Sequence, residues 1–188
     1  MNVNDTIRKH CLEIREQILP DKQQHVSHAI NQKILTLTHY KQAQHIAFYH
    51  AVHGEIILKS LYHTAEAQQK KCYFPVMHKN TTLSFLPANS HTIFNNNPHG
   101  IPEPSVSHEQ AIALEKIDLM LMPLVAFNKQ GARLGMGKGY YDRTLEKKRP
   151  SFLLGVAYEF QCQPKIQTQV WDVPMHAIVT EKTIYWRK

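Results

Sequence analysis

The feature that most constrains the fold is the apolar run Ile117-Asp118-Leu119-Met120-Leu121-Met122-Pro123-Leu124-Val125-Ala126-Phe127. From Leu119 to Met122 the apolar residues are continuous rather than alternating, so no face is left for water. A strand of that kind belongs inside a sheet covered on both sides. Pro123 has no N–H for a ladder, so the strand is expected over residues 117–122 and should end near the proline. Residues 151–158 read as a second buried strand.

The rest of the chain alternates between periods. Residues 6–19 read as a helix, interrupted by Pro20-Asp21. Asp21 is expected to cap a second helix through about residue 37, with Val26, Ile30, Ile34 and Leu37 on one stripe. Residues 45–49 read as a strand, 56–70 as a helix and 71–77 as the next strand. Residues 83–86 alternate like a further strand, antiparallel in one reading. Residues 94–104 hold Asn95-Asn96-Asn97-Pro98, Gly100, Pro102 and Pro104 and read as a loop. A helix over 138–147 and short strands over 177–180 and 183–186 complete the chain. Strands interleaved with helices predict an α/β sheet layered between helices, with ligands beyond the carboxyl ends of the strands.

With 188 residues, 43% of them hydrophobic, the chain is expected to form one domain over 1–188 with a real core. No apolar run approaches the ~18 residues of a membrane span. The start, Met1-Asn2-Val3-Asn4-Asp5, lacks a signal-peptide core, so a cytoplasmic location is expected. Cys11, Cys72 and Cys162 are far apart and odd in number, which argues against a disulfide framework or a zinc site. Thirteen histidines include the i,i+3 pairs His25/His28 and His50/His53. No cysteine or paired carboxylate completes either set, and both read as surface or half-buried histidines. The formal charge of +7 suits nucleic acid, an anionic membrane or a small polyanion. Its densest cluster, Lys147-Lys148-Arg149, reads as a solvated helix end.

The stretch richest in chemistry is Gly131-Ala132-Arg133-Leu134-Gly135-Met136-Gly137-Lys138-Gly139-Tyr140-Tyr141-Asp142-Arg143. Gly135, Gly137 and Gly139 let backbone N–H groups turn toward one point ahead of a helix, which makes a phosphate cradle. Arg133 and Lys138 add a fork and a point charge. The other reading is a flexible turn with two solvated cations. The loop is neither a Walker A loop nor G-x-G-x-x-G. Asp142 reads either as a carboxylate complementing the helix dipole or as a Mg²⁺ ligand beside phosphates. Asp172 is a second isolated carboxylate, in a loop.

Here the sequence resembles the 5-formyltetrahydrofolate cyclo-ligase family, also called methenyltetrahydrofolate synthetase. The resemblance rests on Met122-Pro123-Leu124-Val125-Ala126-Phe127, Gly131 and the stretch from Arg133 to Arg143. Gly54-Glu55-Ile56, Tyr73-Phe74-Pro75, Ile101-Pro102-Glu103-Pro104 and Trp171-Asp172-Val173-Pro174 follow in the family's order and spacing. It implies a three-layer α/β/α sandwich with a mostly parallel sheet, like that of ribose-phosphate isomerase and the CoA-transferases. It implies ATP binding by Arg8, Arg133, Leu134, Gly135, Met136, Gly137, Lys138, Gly139, Tyr140 and Tyr141. It also implies Mg²⁺ binding by Asp142 and Asp172, and folate contacts from Glu55, Glu103, Gly137, Lys138 and Tyr140. Tyr140 and Tyr141 read either as lining the folate side or as core, and Glu55 either as a group for the pterin N–H donors or as a helix-start carboxylate. The chain departs from the family in two places: Asn4 stands where a lysine is usual, and Ile57-Leu58 where an acid and a threonine are usual.

The implied reaction is ATP-dependent closure of 5-formyltetrahydrofolate to 5,10-methenyltetrahydrofolate, releasing ADP and phosphate, with Arg133 and Lys138 in catalytic roles. The resemblance implies that the formyl oxygen takes the γ-phosphoryl group, N10 attacks the activated carbon and phosphate leaves. The expected partners are ATP and a folate, polyglutamylated in one form, without nucleic acid or membrane, and with the protein a monomer. Two other classes would also use a basic glycine loop on such a fold: a phosphate-sensing or nucleic-acid-binding module, and a sugar-phosphate isomerase. The first needs a cationic face interleaved with stacking aromatics, which is not visible beyond Tyr140-Tyr141.

Overall fold

The computed structural model describes residues 2–187. Three helices open the chain: α1 (Val3–Glu16), α2 (Pro20–Thr36) and α3 (Thr38–Gln42). They are followed by β1 (His45–Ala47), α4 (Lys59–Ala67), β2 (Lys71–Met77) and β3 (Leu83–Ala88). Then come β4 (Phe94–Asn96), β5 (Pro102–Pro104), β6 (Leu119–Pro123), β7 (Ala126–Phe127) and β8 (Arg133–Leu134). The last elements are α5 (Tyr140–Leu145), β9 (Phe152–Val156), β10 (Ala177–Val179) and β11 (Ile184–Trp186).

Seven strands form one sheet in the order β11-β10-β9-β6-β1-β2-β3. The five inner strands are parallel, and β3 and β11 close the two edges antiparallel. The apolar run supplies β6, whose Leu119, Met120, Leu121 and Met122 are all fully buried. Alternate side chains of β6 enter opposite faces. Leu119 and Leu121 pack with Ile30 and Ile34 of α2 and Leu61 of α4. Met120 and Met122 pack with Leu145 of α5, Val173 and Met175 on the other side. The result is the expected three layers, although α5, short 3₁₀ turns and loop chain make up the second covering layer. A third cluster seats Cys11 of α1 against Ala126, Ala132 and Leu134 of the β7–β8 hairpin.

Several sequence expectations are corrected. Helix α2 begins at Pro20, with Leu19 in the capping position and no side-chain cap, so Asp21 lies inside the first turn. Proline is at home there, because the first helical N–H has no partner anyway. Residues 94–104 form a hairpin rather than a loop, pairing Phe94 with Pro104 and Asn96 with Pro102. A two-stranded ribbon is all edge, so prolines are tolerated. Asn97 turns the chain, its side-chain oxygen accepting from the His99 and Ile101 N–H groups. The helix expected from residue 56 starts only at Lys59. Its apolar prelude is instead pinned to α2, the Ile57 N–H donating to Ser27 Oγ at 2.9 Å and its carbonyl accepting from Asn31 at 3.0 Å. Helix α5 is likewise shorter than expected, and Arg149 turns back to donate to its Leu145 carbonyl at 3.0 Å.

Candidate active site

The order in which strands are added reverses between the parallel neighbours β1 and β6. From β1 the chain moves outward through β2 and β3, then returns to the opposite side of β1 and moves outward through β9 and β10. A crevice opens at such a switch point, beyond the carboxyl ends of the strands. The chain leaving β1 carries Tyr49, His50 and Glu55, the chain leaving β6 carries Leu124, and the chain leaving β9 carries Tyr158.

Glu55 is buried there, 8% exposed. Its Oε2 accepts from the Val52 N–H at 3.1 Å, and its Oε1 lies 3.8 Å from Nη2 of Arg15. Burial pushes the Glu55 carboxyl up to about 7, opposed by the Arg15 charge and the Val52 hydrogen bond. Three phenols surround this carboxylate. Burial raises Tyr49 and Tyr141 well above the usual tyrosine range and Tyr158 to about 12, and the Glu55 charge adds to each. All three are therefore neutral hydroxyls at neutral pH. Tyr49 donates to the Ile56 carbonyl and Tyr158 to the Gly54 carbonyl, each at 2.9 Å, which fixes the turn that presents Glu55. His50 stacks on Phe74 at 4.4 Å, its buried Nε2 has no hydrogen-bond partner among the described residues, and burial lowers its pKa.

The glycine loop leaves the β7–β8 hairpin, with Gly135, Met136, Gly137 and Lys138 all exposed. Gly137 has φ +89° and Gly139, at the N-cap of α5, has φ +70°. Arg8 reaches the loop from α1: its Nε donates to the Gly135 carbonyl at 2.8 Å while Nη1 pairs with Asp5 at 2.6 Å. Asn4 closes the same flank by exchanging hydrogen bonds with the backbone of Gln167, at 2.7 and 3.0 Å. Lys9, next to Arg8, points elsewhere, at 3.9 Å from Glu13 on the exposed side of α1.

Arg133 does not face the open loop. It is 8% exposed, donates through Nη1 to the Val173 carbonyl and through Nη2 to Asp142 Oδ1 at 2.7 Å. Asp142 Oδ1 also accepts from the Val173 N–H at 3.2 Å. Asp142 is thereby held beside the residue that follows Asp172, although thirty positions separate the two aspartates. Asp172 Oδ2 accepts from the Gln169 N–H at 2.8 Å. Among the described residues, Asp142 Oδ2 and Asp172 Oδ1 take no hydrogen bond. These two oxygens are carboxylate positions open to a cation, and a Mg²⁺ ion needs only one or two of them beside phosphate and water. Tyr140 and Tyr141 open α5, Tyr141 packing into the core and toward Glu55.

Glu103 lies on the β4–β5 hairpin. Its Oε1 accepts from the Met77 N–H at 2.9 Å and from Asn97 at 2.8 Å, tying the hairpin to the end of β2. It lines a cavity of about 400 Å³ with Val76, Asn95 and His108, and no hydrogen bond joins it to the glycine loop among the described residues. No group of three or more His, Cys, Asp or Glu side chains is placed to hold a metal among the described residues.

The residues that sequence reasoning missed are Arg15, Gln161, Tyr49 and Tyr158. For Arg15 one signal existed: it lies on the helical stripe of Ile7, Cys11 and Ile18, where an apolar residue would be expected.

The chain shares its sequence pattern and its fold with known proteins. The chain is 37% identical to a 5-formyltetrahydrofolate cyclo-ligase of Haemophilus influenzae, over 92% of this chain and 95% of the relative. It is 30% identical to the Escherichia coli K12 protein of the same name, over 91% and 96%. The NMR structure of Aquifex aeolicus 5,10-methenyltetrahydrofolate synthetase superposes with a TM-score of 0.87 at 28% identity, covering 100% of this chain and 94% of that one. A 5,10-methenyltetrahydrofolate synthetase from Mycoplasma pneumoniae gives a TM-score of 0.75 at 27% identity, over 96% and 99%. The 5-formyltetrahydrofolate cyclo-ligase family model matches residues 1–181, and the chain belongs to that family.

Proposed function

We propose that this protein closes the ring of 5-formyltetrahydrofolate to give 5,10-methenyltetrahydrofolate, coupled to conversion of ATP to ADP and phosphate. The observation that carries the reading is that the exposed glycine loop, flanked by Arg8 and Lys138, leads directly into α5, whose Tyr141 feels the charge of the buried Glu55 carboxylate. The loop suits phosphates and the carboxylate suits the N–H edge of a pterin. An N-formyl group is a poor electrophile because of amide resonance. Transfer of the γ-phosphoryl group to the formyl oxygen turns that oxygen into a leaving group, and N10 then attacks the carbon. The protein's task is to align the two substrates and offset shifting charge.

In this reading the amides of residues 135–139 and the Lys138 ammonium hold phosphoryl oxygens. Arg8 fixes one side of the loop through the Gly135 carbonyl. Arg133 acts from behind, by setting the place of Asp142. Asp142 and Asp172 would hold Mg²⁺, which neutralises phosphate charge when bound. Glu103 and Tyr140 extend the folate side. The excess of positive charge favours two anionic substrates, the folate with or without its polyglutamate tail. No described helix is long and apolar enough to cross a membrane. We place the protein in the cytoplasm, as a monomeric single domain.

The test is direct: purified protein with 5-formyltetrahydrofolate, ATP and Mg²⁺, followed by methenyl absorbance. Product is expected only with both substrates present. Product formed without ATP, or none with any nucleotide, overturns the proposal.

A further inference from the structure

We infer that Arg15 is a positioning residue for the folate side of the site: its buried guanidinium spans the β1/β6 switch point and aims the Glu55 carboxylate at the substrate's N–H donors. This inference rests on the proposed role of Glu55 toward folate.

The geometry is that of a brace. Arg15 is 1% exposed, on α1 and outside every motif of the sequence. Its Nε donates to the His53 carbonyl at 2.8 Å, in the chain leaving β1, and its Nη1 donates to the Leu124 carbonyl at 3.2 Å, in the chain leaving β6. One guanidinium thus holds both lips of the crevice. Its Nη2 has no hydrogen-bond partner among the described residues and lies 3.8 Å from Glu55 Oε1. That separation is too long for a hydrogen bond and close enough for a strong pull between charges. The turn is shaped around this arginine. His53 has φ +48° and Gly54 has φ +76°, and a Cβ on Gly54 would stand 2.9 Å from the Arg15 carbonyl oxygen. Left-handed backbone at a non-glycine residue is uncommon and persists where its surroundings enforce it.

The charge argument runs the same way. The groups facing Glu55 are Arg15 from α1, Tyr49 after β1, Tyr141 from α5 and Tyr158 after β9, with Arg133 beyond Tyr141. The phenols are neutral, so Arg15 supplies the cation that opposes the effect of burial on Glu55. An ionised carboxylate accepts N–H donors, whereas the protonated acid offers a donor of its own. Without Arg15, Glu55 would stay protonated further into the alkaline range and would meet the pterin edge in the wrong form.

The experiment measures kcat and KM for 5-formyltetrahydrofolate at saturating ATP from pH 6 to 9.5. It compares wild type with Arg15→Met, Arg15→Lys and Glu55→Gln, with near-ultraviolet circular dichroism confirming the fold. Wild-type folate KM should fall as pH rises through about 7, the value to which burial pushes Glu55. In Arg15→Met that limb should move up by about one unit or more, raising folate KM at pH 7.5 about threefold or more. The KM for ATP should change less than about twofold, since the arginine touches only the folate side. Arg15→Lys should bring the limb back toward wild type, because the charge returns, while folate KM stays severalfold high because the fork to two carbonyls is lost. Glu55→Gln should abolish the limb. If Glu55→Gln abolishes it and Arg15→Met leaves it at the wild-type position, the role of Arg15 is refuted and that of Glu55 stands. If Glu55→Gln keeps wild-type folate KM and limb, both fall. Should Arg15→Met not fold, Arg15→Lys decides alone, and an unchanged folate KM across the range refutes the brace.

Discussion

Two of the alternating glycines of the loop, Gly135 and Gly137, should respond very differently to alanine. Gly137 has φ +89°, and the nearest atom to a Cβ built there is Arg8 Cζ at 3.8 Å. Space is therefore open, and the difficulty is wholly conformational. Holding an L residue in left-handed backbone costs about 1–2 kcal/mol. Gly135 offers the contrast: its φ is not in the left-handed range and nothing lies within 4 Å of its Cβ position. If the loop amides cradle ATP, Gly137→Ala either bears the strain when ATP binds or relaxes and turns its amides away. Each route costs the same 1–2 kcal/mol against the bound state, a loss of about 5–30-fold in affinity. The loop is exposed and can relax locally, so thermal stability should fall by less than about 1 kcal/mol. Gly135→Ala should bind ATP within about twofold of wild type. Isothermal titration with ATP and Mg²⁺, beside thermal melts, reads all of this. Wild-type affinity in folded Gly137→Ala, or equal losses at the two positions, would refute a cradle built from backbone conformation.

Two further outcomes follow from the same site. Asp142→Asn and Asp172→Asn should each raise the Mg²⁺ concentration needed for half-maximal rate, and the double variant should fall short of the summed single effects, because the second loss acts on a site already broken. Small additive losses of stability with unchanged Mg²⁺ dependence would leave the two aspartates as structural groups only. Gln161, 2% exposed, donates to the Leu124 and Val125 carbonyls at 2.8 and 2.7 Å and accepts from the Tyr158 N–H at 2.8 Å. Gln161→Ala strands those buried groups and should cost about 2–4 kcal/mol in a urea titration with unchanged m value; a loss below about 0.5 kcal/mol would contradict it.

What the sequence reveals depends on whether a segment's fate is decided locally. The stripe of Val26, Ile30 and Ile34 and the continuous apolar run of β6 and β9 need no partner to be read, because period and continuity alone say which faces are covered. Strand β2 is legible to the residue, bounded by Lys70-Lys71 and by the turn beyond Met77. Residues 56–58 mislead for the opposite reason: Ile56, Ile57 and Leu58 look like the start of a helix. Ser27 and Asn31, 30 and 26 residues away, take up the Ile57 backbone groups instead. The hairpin over 94–104 misleads because residues typical of turns, Asn95, Asn96, Pro102 and Pro104, occupy its strand positions. In the site, glycine spacing exposes the loop and Arg8 by resemblance. That Arg133 is sealed behind Asp142 follows only from the packing of Val173 against both.

The deepest gap concerns polar side chains that serve orphaned backbone. Pro123 ends the pairing of β6, and the next carbonyls, those of the buried Leu124 and Val125, accept from side chains. Buried carbonyls do not go unpaired. Leu124 takes Nη1 of Arg15, 109 positions upstream, and Nε2 of Gln161, 37 positions downstream; Val125 takes the same Gln161 nitrogen. Each of these donors reads in sequence as an ordinary polar residue, one on a helix and one in a short turn. Their burial follows from a demand created by a proline elsewhere, at the point where the order of strand addition reverses. The same demand brings a cation within 3.8 Å of Glu55. The element that terminates the central strand therefore also recruits the charge that tunes the crevice, and structure and function share that one cause.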